Sequence, residues 1–316
     1  MVTGIVTRVD RLQRRHGALG FGYAVIRKFL DDSGAREAAL ITYYGFLSIF
    51  PILLLGVAAL DQVLAQRPEL RQELVEAMVP PALQADVTAA AVALPGSGPA
   101  LVAGLLGLLF SGTGVVFSAY RTLNHVAAVP YRLRSGLVSC YLRVTAVLVL
   151  ILAGVVTTGA LTVVIAVFPG MPRTLATLGS ALVVLAVLLL TARVLLDRPA
   201  PMAALWAGAL PGAVMVTLML HLGAVLLPAL VRRAGAVYGS FATVAGMFTL
   251  LYLLSLALVL AAEIAAVRRA RLWPRAVDGH RPTVADARAL ELLAKERELL
   301  PGQRIESRLQ PGPDEG

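Results

Sequence analysis

The sequence predicts an all-α, polytopic membrane protein: six transmembrane helices, both termini cytoplasmic, and amphipathic helices flanking the first span and in the tail. Three observations carry this. The 316 residues are 58% hydrophobic and only 15% charged, with a mean hydropathy of +0.79, against about 25% charged and 45–50% apolar residues in soluble domains. That apolar excess is too large to hide in one water-soluble core, which excludes a soluble enzyme and disorder over most of the chain. Six apolar runs are each long enough to cross a hydrocarbon layer of ~30 Å, which takes about 20 helical residues. The cations, finally, are spread very unevenly among the connections.

Residues 1–37 form a cytoplasmic N-terminal segment. Its start, MVTGIVTRVDRLQRRHGALG, is charged and lacks a continuous apolar core before a cleavage site. No cleavable signal peptide is expected, so the first span serves as the membrane signal. FGYAVIRKFL then places Phe21, Val25 and Phe29 four apart, with Arg27 and Lys28 adjacent. That pattern predicts a helix resting in the inner headgroup layer.

The transmembrane domain covers 38–267, with spans at about 38–60, 98–120, 144–168, 174–192, 202–227 and 240–267. Helices are required because backbone groups in lipid must be satisfied within the segment or in a closed barrel. The run VTAVLVLILAGVVTTGALTVVIAVF does not alternate as a barrel strand would. The longest connection, 61–97, carries RPELRQELVEAMV, where Leu70, Leu74 and Met78 share one helical face. It is predicted as an external helical loop on which an envelope protein could dock. In the tail, 268–316, Thr283 and Asp286 are spaced as a capping box. The helix they open is expected to run through ARALELLAKERELL to Pro301-Gly302, with a disordered end beyond.

Orientation follows from the cations. Of 28 Lys and Arg residues, 23 lie in the N-terminal segment, the second and fourth connections and the tail; five lie in the other connections. Cytoplasmic loops carry the excess of Lys and Arg, so both termini are expected inside. The net charge of +9 thereby needs no nucleic acid to explain it.

Polar and helix-breaking residues inside the spans mark a candidate path or cavity. Pro51 interrupts TYYGFLSIFPILLL, where a kink is expected, with Ser48 near enough to help re-satisfy the freed carbonyls. Tyr43 and Tyr44 stand near the cytoplasmic end of the same span. Pro211 repeats the pattern in ALWAGALPGAVMVTLMLHLG, between Gly208 and Gly212, a spacing that permits close helix approach. His221 is the histidine well inside a span, and Glu263 the carboxylate embedded in the last one. Membrane-embedded ionisable groups are candidates for proton or substrate coupling, with an ion pair as the structural alternative. Arg36, Arg121, Arg143 and Arg193 are the partners expected for Glu263. The second span, GLLGLLFSGTGVVFSAYRTLNH, is rich in glycine and serine and should sit centrally. Arg121, Arg132, Arg134 and Arg143 are candidate contacts for anionic headgroups.

Little in the sequence favours catalysis. Between Asp86 and Glu263 the sole acidic residue is Asp197, and His16, His125, His221 and His280 have no metal-ligand spacing. Cys140 is the single cysteine, which excludes an intramolecular disulfide and a multi-cysteine zinc site. No phosphate-binding loop, dinucleotide fingerprint or nucleophile elbow occurs. The expectation is a non-enzyme without cofactor or metal, acting on membrane lipids.

Several strings together resemble one family. TYYGFLSIFPILLL, SGTGVVFSAYRTLNHVAAVPYR, the ALPGA of the fifth span and VYGSFATVAGMFTLLYLLSLALVLAAEIAAV follow the order and spacing of the YihY/BrkB inner-membrane proteins, once labelled ribonuclease BN. The likeness covers roughly 22–271; Phe110-Ser111-Gly112 departs from the Trp-Ser string of relatives. It implies six helices with both ends cytoplasmic and no settled activity. The function expected here is translocation of a lipid or other amphiphile in the bacterial inner membrane. The alternatives are an envelope scaffold working through 61–97, or a membrane-bound ribonuclease.

Overall fold

The computed structural model describes residues 10, 13, 16–64, 97–167, 173–277 and 282–307. Every regular element among them is helical: α1 Gly17–Asp31, α2 Gly34–Leu64, α3 Ser97–Val126, a 3-10 turn Tyr131–Leu133, α4 Leu137–Val167, α5 Arg173–Leu195, α6 Met202–Tyr238, α7 Ser240–Ala270 and α8 Val284–Glu296. Six of these are long and apolar enough to cross a membrane, over Gly34–Leu55, Leu101–Val126, Leu137–Leu161, Thr177–Leu195, Met202–Arg233 and Phe241–Ala270.

The helices overrun several predicted limits. α4 begins at Leu137, so Arg143 lies in its second turn rather than in a loop. α3 continues to Val126 and carries Arg121, Asn124 and His125. α6 runs on through Arg232 and Arg233 to Tyr238, where a connection was expected. It breaks at Gly239, whose φ of +55° suits a residue without a Cβ. Pro51 and Pro211 sit inside helices that continue past them. The predicted 61–97 loop falls outside the described residues apart from its ends, which belong to α2 and α3.

The chain divides into two compact units. The first joins Met1–Ala38, Ala119–Thr217 and Leu256–Gly316; the second joins Ala39–Ser118 and Leu218–Ser255. In the first, α4 packs along α5. Gly154 of α4 accepts Val187, since a Cβ there would lie 2.7 Å from its methyl. Gly208 and Gly212 of α6 face Ala261 of α7, where a Cβ on Gly208 would come within 2.6 Å of the Ala261 carbonyl oxygen. The predicted close approach around Pro211 is therefore made with the last span.

The N-terminal helix and the tail meet in the same unit. Ala24 and Val25 of α1, Val267 of α7, Leu272, and Ala289 of α8 form a buried cluster. Phe21 meets Trp273 edge-on, with ring centroids 5.3 Å apart. Burying an aliphatic side chain as fully as Leu272 and Val267 are buried contributes about 1.5–3 kcal/mol each. The expected headgroup face of α1 is thereby corrected. Phe21 and Val25 turn into the protein because α7 and the tail supply apolar partners there. The outward apolar stripe is instead Leu19, Ile26 and Leu30.

In the second unit the glycines of α3 receive side chains from α2. A Cβ at Gly107 would lie 3.0 Å from Pro51 Cγ, and one at Gly114 only 2.3 Å from the Tyr44 ring. Thr42 of α2 donates to Ser255 of α7 at 3.0 Å, both buried.

Candidate functional site

The first unit holds a charged rim built by the ends of α1, α3 and α7, the turn after α3, and the tail. Its centre is Lys28. On α1 it shares a face with Ala24 and Val25 and goes inward with them. Its Nζ donates to the Asp32 carboxylate one turn on and to the Val126 carbonyl oxygen at 3.0 Å. It also lies 3.1 Å from Glu263 Oε2. Glu263 is 0% exposed, and neither of its carboxylate oxygens accepts a well-directed hydrogen bond from a described residue. One ammonium thus serves two carboxylates away from water, where an unpaired charge would be very costly.

A second layer fastens the tail. Thr283 and Asp286 make the predicted capping box for α8. Asp286 also accepts from Arg275 Nε at 2.8 Å, and Arg275 reaches Asp31 at 3.0 Å. Burial opposes charge on Asp286, but hydrogen bonds from Arg275 and from the backbone of Thr283 and Ala276 hold its carboxyl below the usual carboxylate range. α8 stops at Glu296, short of the expected Pro301-Gly302. There the chain turns its acids inward. Glu296 Oε1 is 2.8 Å from His125 Nδ1 and 2.8 Å from an Arg134 guanidinium nitrogen. The Arg134 guanidinium in turn sits 3.9 Å over the Tyr131 ring. Glu298 takes a 2.8 Å bond from Arg132 Nε, while its carbonyl accepts from the Arg132 amide. The Arg132 hydrogen bond keeps the Glu298 carboxyl below its ordinary value. Between α1, α3 and α8, Lys28, Asp32, His125, Arg275 and Glu296 line a small cavity with room for about one water.

Asp197 organises a third cluster. Its carboxylate accepts from Tyr120 at 2.5 Å, from Arg143 at 2.9 Å and from Ser135. Its amide donates to Asn124 Oδ1 at 3.0 Å, and Asn124 Nδ2 donates to the carbonyls of Tyr120 and Leu195. Asn124 is fully buried. Every hydrogen-bonding atom of its amide is used, so it pins α3 to the end of α5.

The predicted residues separate as follows. Pro211, Glu263, Arg121, Arg132, Arg134 and Arg143 belong to the first unit; Tyr43, Tyr44, Ser48, Pro51 and His221 belong to the second. Glu263 meets Lys28, not one of the four arginines expected. Three of the proposed headgroup arginines, 132, 134 and 143, already hold carboxylates of this chain, while Arg121 lies exposed on α3. In the second unit Ser48 donates to the Tyr44 carbonyl at 2.9 Å, not to that of Leu47, which Pro51 leaves without its helical amide. Tyr43 is outward and packs edge-on against Tyr44 at 5.2 Å. His221 is exposed on α6.

The sequence reading missed Lys28, Asp32, Asn124, Asp197, Glu296 and Glu298. Two signals were present. Lys28 is one of only two lysines in an arginine-rich chain, and Asp197 is the sole acid in a long stretch.

Six membrane-length helices and a rim of buried ion pairs define a polytopic helical membrane protein. The family model described as virulence factor BrkB matches residues 25–285, and the chain belongs to that family. Neither the curated proteins nor the solved structures hold a significant match to it.

Proposed function

We propose that this protein translocates, or helps translocate, a lipid or another amphiphile across the bacterial inner membrane, with its charged rim and both termini on the cytoplasmic side. One observation carries the reading. Directly after the loop arginines, the first turns of α4 present a shallow apolar groove of Leu137, Val138, Tyr141, Leu142 and Thr145. Leu137 and Val138 are 77% and 76% exposed. An amphiphile needs that arrangement: cations for an anionic headgroup, and an apolar track beside them for the chain.

Two further features support it. In the most apolar stretches of α5 and α6 only 6% of residues are fully buried within the protein, so both helices keep apolar surface open to lipid. The uneven distribution of cations supports the orientation. A carrier of this kind needs no catalytic group and no cofactor. Reconstitution into liposomes with a lipid-scrambling assay tests the proposal. Scrambling above protein-free vesicles is expected, and none above them overturns it.

A further inference from the structure

We propose that the tail carboxylates of Glu296 and Glu298 are internal stand-ins for the phosphate of an anionic phospholipid, which displaces them from Arg134 and Arg132 and so releases α8. The inference rests on the groove on α4 described above, but not on translocation itself.

The argument starts from depth. Arg132 lies in the turn Tyr131–Leu133 and Arg134 directly follows it, and the span Leu137–Leu161 opens three residues after Arg134. Whichever way the chain is oriented, these two guanidinium groups stand where a membrane helix enters the headgroup layer. The apolar groove begins three residues after Arg134 and covers the first turns of the span, from Leu137 to Thr145. A phospholipid with its phosphate on the arginines would lay an acyl chain there.

The cation site is occupied from within. Arg132 Nε holds Glu298 and an Arg134 nitrogen holds Glu296, each at 2.8 Å. Arginine binds carboxylate and phosphate through the same forked donors, so one anion can replace the other. Arg132 keeps 27% of its side chain exposed and Arg134 11%, so the first is the more accessible to an incoming anion. Both glutamates come from the short stretch that ends α8. Losing the two arginine pairs would loosen the end of that helix, with Glu296 left on His125 and Asp286 still capping the start. A headgroup would thus convert the tail from a fastened strap to a loose one.

The full-length protein in nanodiscs is the material for the test. Discs of phosphatidylcholine are compared with discs in which about 30% of the lipid is phosphatidylglycerol. Hydrogen exchange of residues 284–298 is the readout. Exchange should rise about tenfold or more in the anionic discs. Inorganic phosphate added to the phosphatidylcholine discs should leave it unchanged. In E296Q/E298Q the tail should exchange fast in both lipids; in R132Q/R134Q it should be fast in both while bound phosphatidylglycerol, counted by native mass spectrometry, falls.

Equal exchange of the wild-type tail in both lipids overturns the proposal, and this comparison needs no variant to fold. A response to free phosphate overturns the lipid as its source. A lipid-responsive tail without scrambling would remove the translocation reading and keep this one; scrambling with an indifferent tail would do the reverse.

Discussion

Lys28 shows how a single buried charge binds the rim together. It sits between Asp32 and Glu263 with almost no access to solvent. Removing it strands carboxylates in a low-dielectric site, which typically costs about 3–5 kcal/mol. K28M should therefore lower the thermal midpoint in detergent sharply. K28M/E263Q should recover part of the loss, because the second change removes a stranded charge; no recovery would mean that the pairing with Glu263 contributes nothing. A packing test belongs at the same scale. Gly114 faces the Tyr44 ring so closely that G114A forces a displacement, costing about 1–3 kcal/mol by overpacking. Unchanged thermal stability of that variant would contradict the contact. Neither Lys28 nor Tyr44 could be paired by reading the sequence. Their partners are brought near by helix packing, whereas the apolar periodicity around each is local and visible.

At the scale of elements, the tail is where pH acts. The Asp286 and Glu298 carboxyls both lie below their ordinary values in the folded chain. A depressed folded pKa means that stabilisation is fully present above the unfolded value and lost as pH falls through the folded one. With unfolded values of about 3.9 for Asp and 4.3 for Glu, the docking of α8 should hold at neutral pH. The contribution of these two carboxyls should be lost as pH falls below about 4. Hydrogen exchange of 284–296 across that range checks it, and loosening between neutrality and about pH 5 would contradict these shifts. T283A should cost about 1 kcal/mol through loss of the cap, read as faster exchange in the first turn of α8. The cap was legible in sequence because it involves residues three apart. The early end of α8 was not, since His125, Arg132 and Arg134 lie far away in the chain.

For the whole molecule, orientation is the property that the charge distribution predicts and the helices leave open. A reporter fused behind Gly316 should be active only on the cytoplasmic side; activity outside the cell would reverse the topology. The sequence by itself determined that this chain makes six membrane-length helices, because crossing a bilayer requires about 20 consecutive apolar residues and that is a local property. Its ordered strings also carried the family resemblance, which the match over residues 25–285 upheld. Only the tertiary structure decided that Glu263 answers Lys28, that Asp197 gathers Tyr120, Ser135 and Arg143, and that the loop arginines are held by the tail. Each buried charge must find an opposite one within a few ångströms, and packing alone fixes which of many candidates stands that close.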